Sequence, residues 1–321
     1  MESGKLIVVI PVLDNAHRQR IRSAAAAHGR EVLFFESVKE ALPALRDAEI
    51  VFGQPAELAS NAPRMKWLCT PSAGVDQFMG EKVFASPDAV LSNSSGAYGV
   101  TIAEHTIMLL LSLFRRRLDY DDILSRREWR RDLPVKSIRN GRFVLAGTGD
   151  IGQETALRLR AFGPRSVLGV NRSGQNPENR FDRVVPIRDW ESFLPEADAL
   201  ILSLPGTPET RHLLGEKQLS LLPDGAAVIN VGRGSVIDQP ALEKELRAGR
   251  LCAALDVFEE EPLPQDHSLW TCPNLLITPH TAGNMTLPWT VERIVDLFLE
   301  DLENYCAGRP LSRRVDLRKG Y

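Results

Sequence analysis

Short apolar runs alternate with polar stretches along this chain in two successive blocks, with one long apolar segment between them. In roughly the first hundred residues, Leu6–Pro11, Glu31–Phe35, Ile50–Phe52, Trp67–Cys69 and Val90–Leu91 predict strands. Ala- and Arg-rich segments between them, such as Arg18–His28 and Val38–Arg46, predict helices. This β–α–β rhythm predicts a parallel sheet covered on both faces. Thr101–Arg117 is apolar nearly all round, so a long buried helix is expected there, with arginines suited to its negative C-terminal pole. In the second block strands are predicted at Arg142–Ala146, Ser166–Val170, Ala199–Ser203, Ala226–Val231, Ala253–Asp256 and Leu275–Thr278. Helices are predicted at Gln153–Phe162, Glu216–Ser220, Gln239–Ala248 and Thr290–Ala307. The block reads as a full doubly wound domain. Its last helix leaves it, and the tail Arg313–Tyr321 is expected to carry no fold of its own. There is no internal repeat and no low-complexity segment.

Composition narrows the function classes. The 321 residues are 43% hydrophobic and 25% charged, normal for a soluble globular protein, and suffice for two ordinary domains. A formal net charge of −3 gives no global drive toward nucleic acid or acidic membranes. Cys69, Cys252, Cys272 and Cys306 stand far apart without a CxxC. That argues against a zinc knuckle or disulfide framework, fits a reducing compartment, and leaves no metal site expected. Leu6–Val12 is too short for a signal-peptide core with its cleavage site, or for a membrane span, so a cytoplasmic location is expected. The basic stretch Arg115–Arg117 with Arg126–Arg131 reads as an arm against a partner subunit or as a solvated loop, and it lacks a nucleic-acid recognition motif.

Gly147-Thr-Gly-Asp-Ile-Gly152 follows the apolar strand Phe143–Ala146 and opens the helix Gln153–Phe162, the context a dinucleotide-binding turn requires. Gly147 permits the tight turn, Gly149 lets backbone approach a pyrophosphate, and Gly152 lets helix and strand pack closely. The N–H groups of Asp150 and Ile151 would face phosphate oxygens from the helix start, and the Asp150 side chain can point outward, so its charge does not count against binding. A plain glycine-rich turn is the alternative. The next strand ends in Asn171-Arg172-Ser173, where an NAD-preferring site usually places a carboxylate. Arg172 can pair with a 2′-phosphate, and Asn171 and Ser173 can donate to it, so NADP(H) is the expected cofactor with NAD(H) possible.

Three further stretches each offer one reactive side chain: Arg233 in Asn230–Asp238, Glu261 in Asp256–Pro262 and His280 in Thr278–Gly283. Reduction of a 2-keto acid needs a grip on the carboxylate, polarisation of the carbonyl and a proton for the new alkoxide. The Arg233 fork can grip and polarise. His280 can deliver the proton, and Glu261 can favour its charged form and fix its orientation. All three are expected just past strand C-termini, where open α/β sheets bind ligands. Singly, each also reads as an ordinary surface or core residue.

With these motifs, and with Ser72-Ala-Gly-Val-Asp76 and Ile102-Ala-Glu-His105, the chain resembles the D-isomer-specific 2-hydroxyacid dehydrogenase family over most of its length. The resemblance implies an α/β fold of two Rossmann-like doubly wound parallel-sheet domains with a cleft between them. It implies a discontinuous substrate domain, 1–100 plus 286–321, and a nucleotide domain, 101–285. It makes Arg233, Glu261 and His280 the catalytic set. Ser72, Ala73 and Gly74 become the substrate turn, with the Ala73 and Gly74 amides on the carboxylate. Asp256 would contact the nicotinamide carboxamide and Thr101 would lie near the cofactor. Cofactor contacts would extend to Leu204, Pro205, Val231, Gly232, His280 and Gly283. Two departures stand out. Gly206 leaves the adenine wall less filled, and Tyr98 is unusual in its segment and has no assigned role.

Glu261 argues against formate dehydrogenase chemistry, which uses glutamine there. The absence of sequence after residue 321 argues against an appended regulatory domain. The ending Val315–Tyr321 resembles glyoxylate and hydroxypyruvate reductase-like members, and side chains around Ser72–Asp76 and Trp289 would set substrate size. The expected activity is interconversion of a small 2-keto acid and its D-2-hydroxy acid, by NADPH-dependent reduction. The alternative is a cofactor-sensing corepressor-like binding protein on the same fold. A homodimer is implied, with no nucleic-acid or membrane partner.

Overall fold

The computed structural model describes residues 4–80, 83–176 and 178–318. Twelve strands and nine α-helices occur among them. The first part holds β1 (Lys5–Val9), α1 (Asn15–Ala27), β2 (Val32–Phe34), α2 (Val38–Leu45), β3 (Ala48–Gly53), α3 (Ala56–Ser60), β4 (Trp67–Cys69) and β5 (Val90–Ser92). Next come α4 (Gly99–Phe114), α5 (Arg117–Ser125), β6 (Arg142–Ala146), α6 (Asp150–Ala161), β7 (Ser166–Asn171), β8 (Arg183–Pro186) and β9 (Ala199–Leu202). The remainder is α7 (Glu216–Leu221), β10 (Ala227–Asn230), α8 (Gln239–Arg247), β11 (Cys252–Leu255), β12 (Leu275–Ile277) and α9 (Pro288–Cys306). The chain divides into two compact units, Met1–Tyr98 with Asn284–Tyr321, and Gly99–Gly283. Among the described residues no helix is long and apolar enough to cross a membrane.

The discontinuous unit carries a parallel sheet in the order β2-β1-β3-β4-β5. Side-chain caps start its helices: Asp14 accepts from the His17 amide at 2.9 Å, and Ser37 from the Glu40 amide at 3.3 Å. The C-terminal α9 closes one face of this sheet. Phe298 stacks on Phe52 with ring centroids 4.0 Å apart and on Trp67 at 5.5 Å. The buried Trp67 indole N–H is satisfied in that packing: it donates to Ser92 Oγ at 2.9 Å.

The continuous unit carries a parallel sheet in the order β12-β11-β10-β9-β6-β7-β8. Chain order reverses at β6, which pairs with β7 on one side and β9 on the other, so the loops after β6 and β9 open beside each other at a switch point. Gly152 is required by close approach. A Cβ there would come within 2.0 Å of the Gly147 carbonyl oxygen, and Gly147 itself has φ of 109°.

Several expectations change. The expected helix Thr101–Arg117 runs instead from Gly99 to Phe114, because Arg116 turns left-handed at φ 57° and starts α5. It is not buried on all sides: it packs on α6, β10 and β11, while Glu104 and Met108 are exposed. Helices α3 and α5 and edge strand β8 were not expected from the pattern. Helix α5 buries only Ile123, and β8 has one fully buried position, so neither shows a strong apolar period. The tail does join the fold. Arg314 bridges Ser92 antiparallel, and the Val315 amide donates to the Leu91 carbonyl at 2.9 Å. Lys319, Gly320 and Tyr321 lie outside the described residues.

Candidate functional site

Three neighbouring strands, β10, β11 and β12, end on the same edge of the continuous unit's sheet. Asn230, the last residue of β10, shapes the turn that follows. Its side chain donates to the Arg233 carbonyl at 2.9 Å and accepts from the Gly232 amide at 3.0 Å. Arg233 Nη1 donates to the Gly232 carbonyl at 2.8 Å. Gly206 gives this arginine room: a Cβ there would lie 3.2 Å from Arg233 Cγ. Its small size thus has a reason at the arginine as well as any at the adenine wall.

After β11, Asp256 is 1% exposed and organises the loop after β12. Its Oδ1 accepts from Thr278 Oγ1 at 2.6 Å and the Thr281 amide at 3.0 Å; its Oδ2 accepts from the Ala282 amide at 3.1 Å. Three of roughly four lone-pair sites are therefore spent inside the protein, leaving Oδ2 room for one more donor. The Asp256 carbonyl takes the His280 amide at 2.8 Å. These bonds hold His280 at φ 52°, a left-handed backbone that few non-glycine residues adopt. Gly283 follows Ala282 and ends the unit.

The His280 ring is half-exposed, and its Nδ1 lies 2.6 Å from Glu261 Oε2. Glu261 Oε1 accepts from the Phe258 amide at 2.9 Å, which fixes the carboxylate in turn. Nδ1–H donates to Glu261, so Nε2 is the ring nitrogen left to face a ligand.

His105, on α4, was given no role by the sequence. Its Nε2 lies 3.1 Å from Thr278 Oγ1. The Thr278 hydroxyl spends its single proton on Asp256, so His105 Nε2 must be the donor. Burial pushes the His105 pKa below the ordinary histidine range, with the Asp256 carboxylate opposing, so the ring is held neutral.

The glycine turn lies at the end of β6. A Cβ at Gly149 would meet nothing within 4 Å, so its backbone is open to a ligand, and helix α6 begins directly after it at Asp150 and Ile151. These features fit a dinucleotide pyrophosphate. The Asp150 side chain does not point outward. It accepts from the Gly99 amide at 2.7 Å and so caps the start of α4, with Thr101 buried two residues on in the same first turn. Leu204 and Val231 are buried, and Leu204 belongs to the unit's core. Gly232 is buried beside the Leu204 backbone, and the exposed Pro205 accepts from Thr210 Oγ1 at 2.6 Å through its carbonyl.

Asn171 differs from its expected use. Its amide nitrogen already donates to Thr148 Oγ1 at 2.8 Å and the Gln175 carbonyl at 2.9 Å. Its side-chain oxygen accepts from the Gly174 amide at 2.6 Å. It fastens its loop to the glycine turn and is not a spare phosphate donor. Ser173 Oγ lies within the same loop network, accepting from the Gln175 amide at 3.3 Å. Arg172 is exposed. The nearby Glu209 carboxyl is held below its usual range by its own amide and the Thr207 hydroxyl, with a smaller contribution from the Arg172 charge.

In the discontinuous unit, the turn after β4 carries Ser72, Ala73 and Gly74, all half-buried. Ser72 Oγ donates to the Gly74 carbonyl at 2.7 Å. Among the described residues, no acceptor meets the Ala73 or Gly74 amide.

The family profile described as D-isomer specific 2-hydroxyacid dehydrogenase, NAD binding domain, matches residues 107–282. Glyoxylate/hydroxypyruvate reductase B of Klebsiella pneumoniae (strain 342) is 31% identical, covering 85% of this chain and 88% of that protein. A D-isomer specific 2-hydroxyacid dehydrogenase family protein from Aeromonas salmonicida has a solved structure that superposes with TM-score 0.86 at 33% identity, over 98% of this chain and 99% of that one. An NADPH-dependent glyoxylate/hydroxypyruvate reductase from Sinorhizobium meliloti, solved with NADP and sulfate, superposes with TM-score 0.82 at 26% identity, over 99% of this chain and 100% of that one. Motifs, fold and these likenesses agree, and the chain belongs to the D-isomer specific 2-hydroxyacid dehydrogenase family, NAD(P)-dependent oxidoreductases of 2-hydroxy acids.

Proposed function

We propose that this protein reduces a small 2-keto acid of the glyoxylate or hydroxypyruvate kind to its D-2-hydroxy acid, with NADPH as the preferred cofactor. The observation that carries the reading is the 2.6 Å pair of Glu261 with His280 Nδ1, on the loops after β11 and β12, beside β10 whose following turn carries Arg233. Arg233 holds the substrate carboxylate and stabilises charge growing on the adjacent oxygen. His280 delivers a proton from Nε2 to that oxygen while Glu261 keeps the ring oriented. A dinucleotide held at the Gly147–Gly152 turn would supply the hydride. The Ser72–Gly74 turn is proposed as a further carboxylate-binding element, through the Ala73 and Gly74 amides.

The NADPH preference is supported by Arg172 and by the lack of any carboxylate in Asn171–Ser173. The unpaired thiols suit the cytoplasm. A homodimer is proposed through the outer face of α4, where Met108 is exposed near Leu133 and Val135.

The test is steady-state NADPH oxidation with a panel of small 2-keto acids, on wild type and His280→Ala. The variant should lose roughly 10²–10⁴-fold in kcat while NADPH affinity changes far less. Near-wild-type turnover in the variant would remove His280 from the chemistry. Tight NADPH binding by wild type with no turnover on any acid would favour the cofactor-sensing alternative.

A further inference from the structure

Every carbonyl oxygen from Thr70 to Gly74 has a hydrogen-bond donor. Ser94 Oγ donates to Thr70 at 3.0 Å, and the Tyr98 phenol to Pro71 at 2.6 Å. The Ser94 amide donates to Ser72 at 3.0 Å, and the Asn93 side-chain amide to Ala73 at 2.8 Å. Ser72 Oγ closes the run on Gly74 at 2.7 Å. Four of these five donors come from one short segment, Asn93–Tyr98, which follows β5.

Peptide geometry turns this into a directional device. In a trans peptide the carbonyl of one residue and the N–H of the next point opposite ways. Holding the Ser72 oxygen against Ser94 therefore aims the Ala73 N–H away from Ser94. Holding the Ala73 oxygen against Asn93 aims the Gly74 N–H likewise. Those are the two amides of this turn that meet no acceptor among the described residues. Tyr98 is 7% exposed, and burial raises its phenol well above the ordinary tyrosine range, so it remains a donor.

We propose that Asn93, Ser94 and Tyr98 are positioning residues that pin the carbonyls of the Thr70–Gly74 turn and so preorganise the Ala73 and Gly74 amides for a substrate carboxylate. This rests on the reading of that turn as a carboxylate-binding element. It gives Tyr98 a role that its motif alone does not.

Two variants separate this from plain structural support. Tyr98→Phe removes one oxygen and keeps the ring. Asn93→Asp replaces the donor facing the Ala73 carbonyl with an acceptor. The readouts are KM and kcat for glyoxylate, NADPH affinity, Tm, and calorimetric binding of oxalate to the enzyme–NADPH complex. Oxalate offers the same carboxylate without a reducible carbonyl. For Tyr98→Phe, KM and the oxalate Kd should rise together by about 2–10-fold, the loss of one neutral hydrogen bond, with the loss falling on KM rather than kcat. Asn93→Asp should raise both further. Unchanged KM and oxalate Kd in both variants overturn the proposal. So does a joint fall of kcat, NADPH affinity and Tm, which marks mere structural support. Wild type that binds no oxalate overturns it as well. Wild type that binds oxalate but reduces no 2-keto acid sinks the reductase reading instead, and the oxalate ratios still judge the turn.

Discussion

Several side chains of this site are fixed by neighbours that the linear sequence hides: His280 by Glu261, Asp256 by Thr278, and His105 by Thr278. Glu261 and His280 are legible as candidates because each closes a short motif past a strand, and the structure brings them to 2.6 Å. Asn171 reads as a phosphate donor from its position, yet Thr148 and Gln175 have already taken its N–H groups. His105 is silent in the sequence because its partner Thr278 lies 173 residues further on. The spending of Asn171 leaves Arg172 as the main charge for a 2′-phosphate. Arg172→Ala should therefore weaken NADPH by about 10–150-fold, the loss of one charge-assisted contact, and leave NADH nearly untouched. Titration of both cofactors decides this. An equal loss for both would place Arg172 on the adenosine rather than the phosphate.

At the scale of elements, the apolar pattern locates eleven of the twelve strands among the described residues, missing only β8, and fails where tertiary packing or local pairing decides. The α4 segment is so apolar that it reads as buried throughout, but Glu104 and Met108 form an open stripe and the chain breaks at Arg116. The arginines beyond it are not a free basic patch: Arg116 pairs with Asp119, Arg117 with Asp121, and Arg126 with Asp122 and Glu128. Helix α4 is joined to the loop after β12 through His105 and Thr278. This joint has a pH signature. The unfolded chain protonates His105 at its ordinary value, 6.5, before the folded protein does, because burial depresses the folded pKa. The unfolded state then binds more protons, so stability is lost as pH falls from 6.5 toward the depressed value, and is complete above that window. His105→Gln can still donate to Thr278 and does not titrate. Its Tm should fall less than that of wild type across the window. Parallel Tm profiles for the two proteins would show that His105 is not the group responsible.

At the scale of the whole molecule, apolar side chains remain on the surface of the continuous unit. Met108 is 49% exposed and Val135 48%, and the two line one shallow depression with Leu133 beside α4; Leu124 and Trp129 are exposed as well, at 53% and 86%. If a second copy covers this face, Met108→Glu should shift the protein to monomer in sedimentation velocity, since it adds a charge one helical turn from Glu104. A monomeric wild type at micromolar concentration, or an unshifted variant, would send the search for a partner elsewhere.

The split of one unit around the other also bears on synthesis. Phe52 and Trp67 are made early, but Phe298, which stacks on both, is encoded after the whole of Gly99–Gly283. At roughly 5–20 residues per second, that interval lasts on the order of ten to forty seconds on the ribosome. The continuous unit can complete its sheet as it emerges, while the sheet begun first waits with one apolar face uncovered. Chaperone demand should therefore fall on the nascent chain before α9 leaves the exit tunnel, and a ribosome stalled ahead of Phe298 should hold a finished nucleotide-type sheet beside an unfinished one.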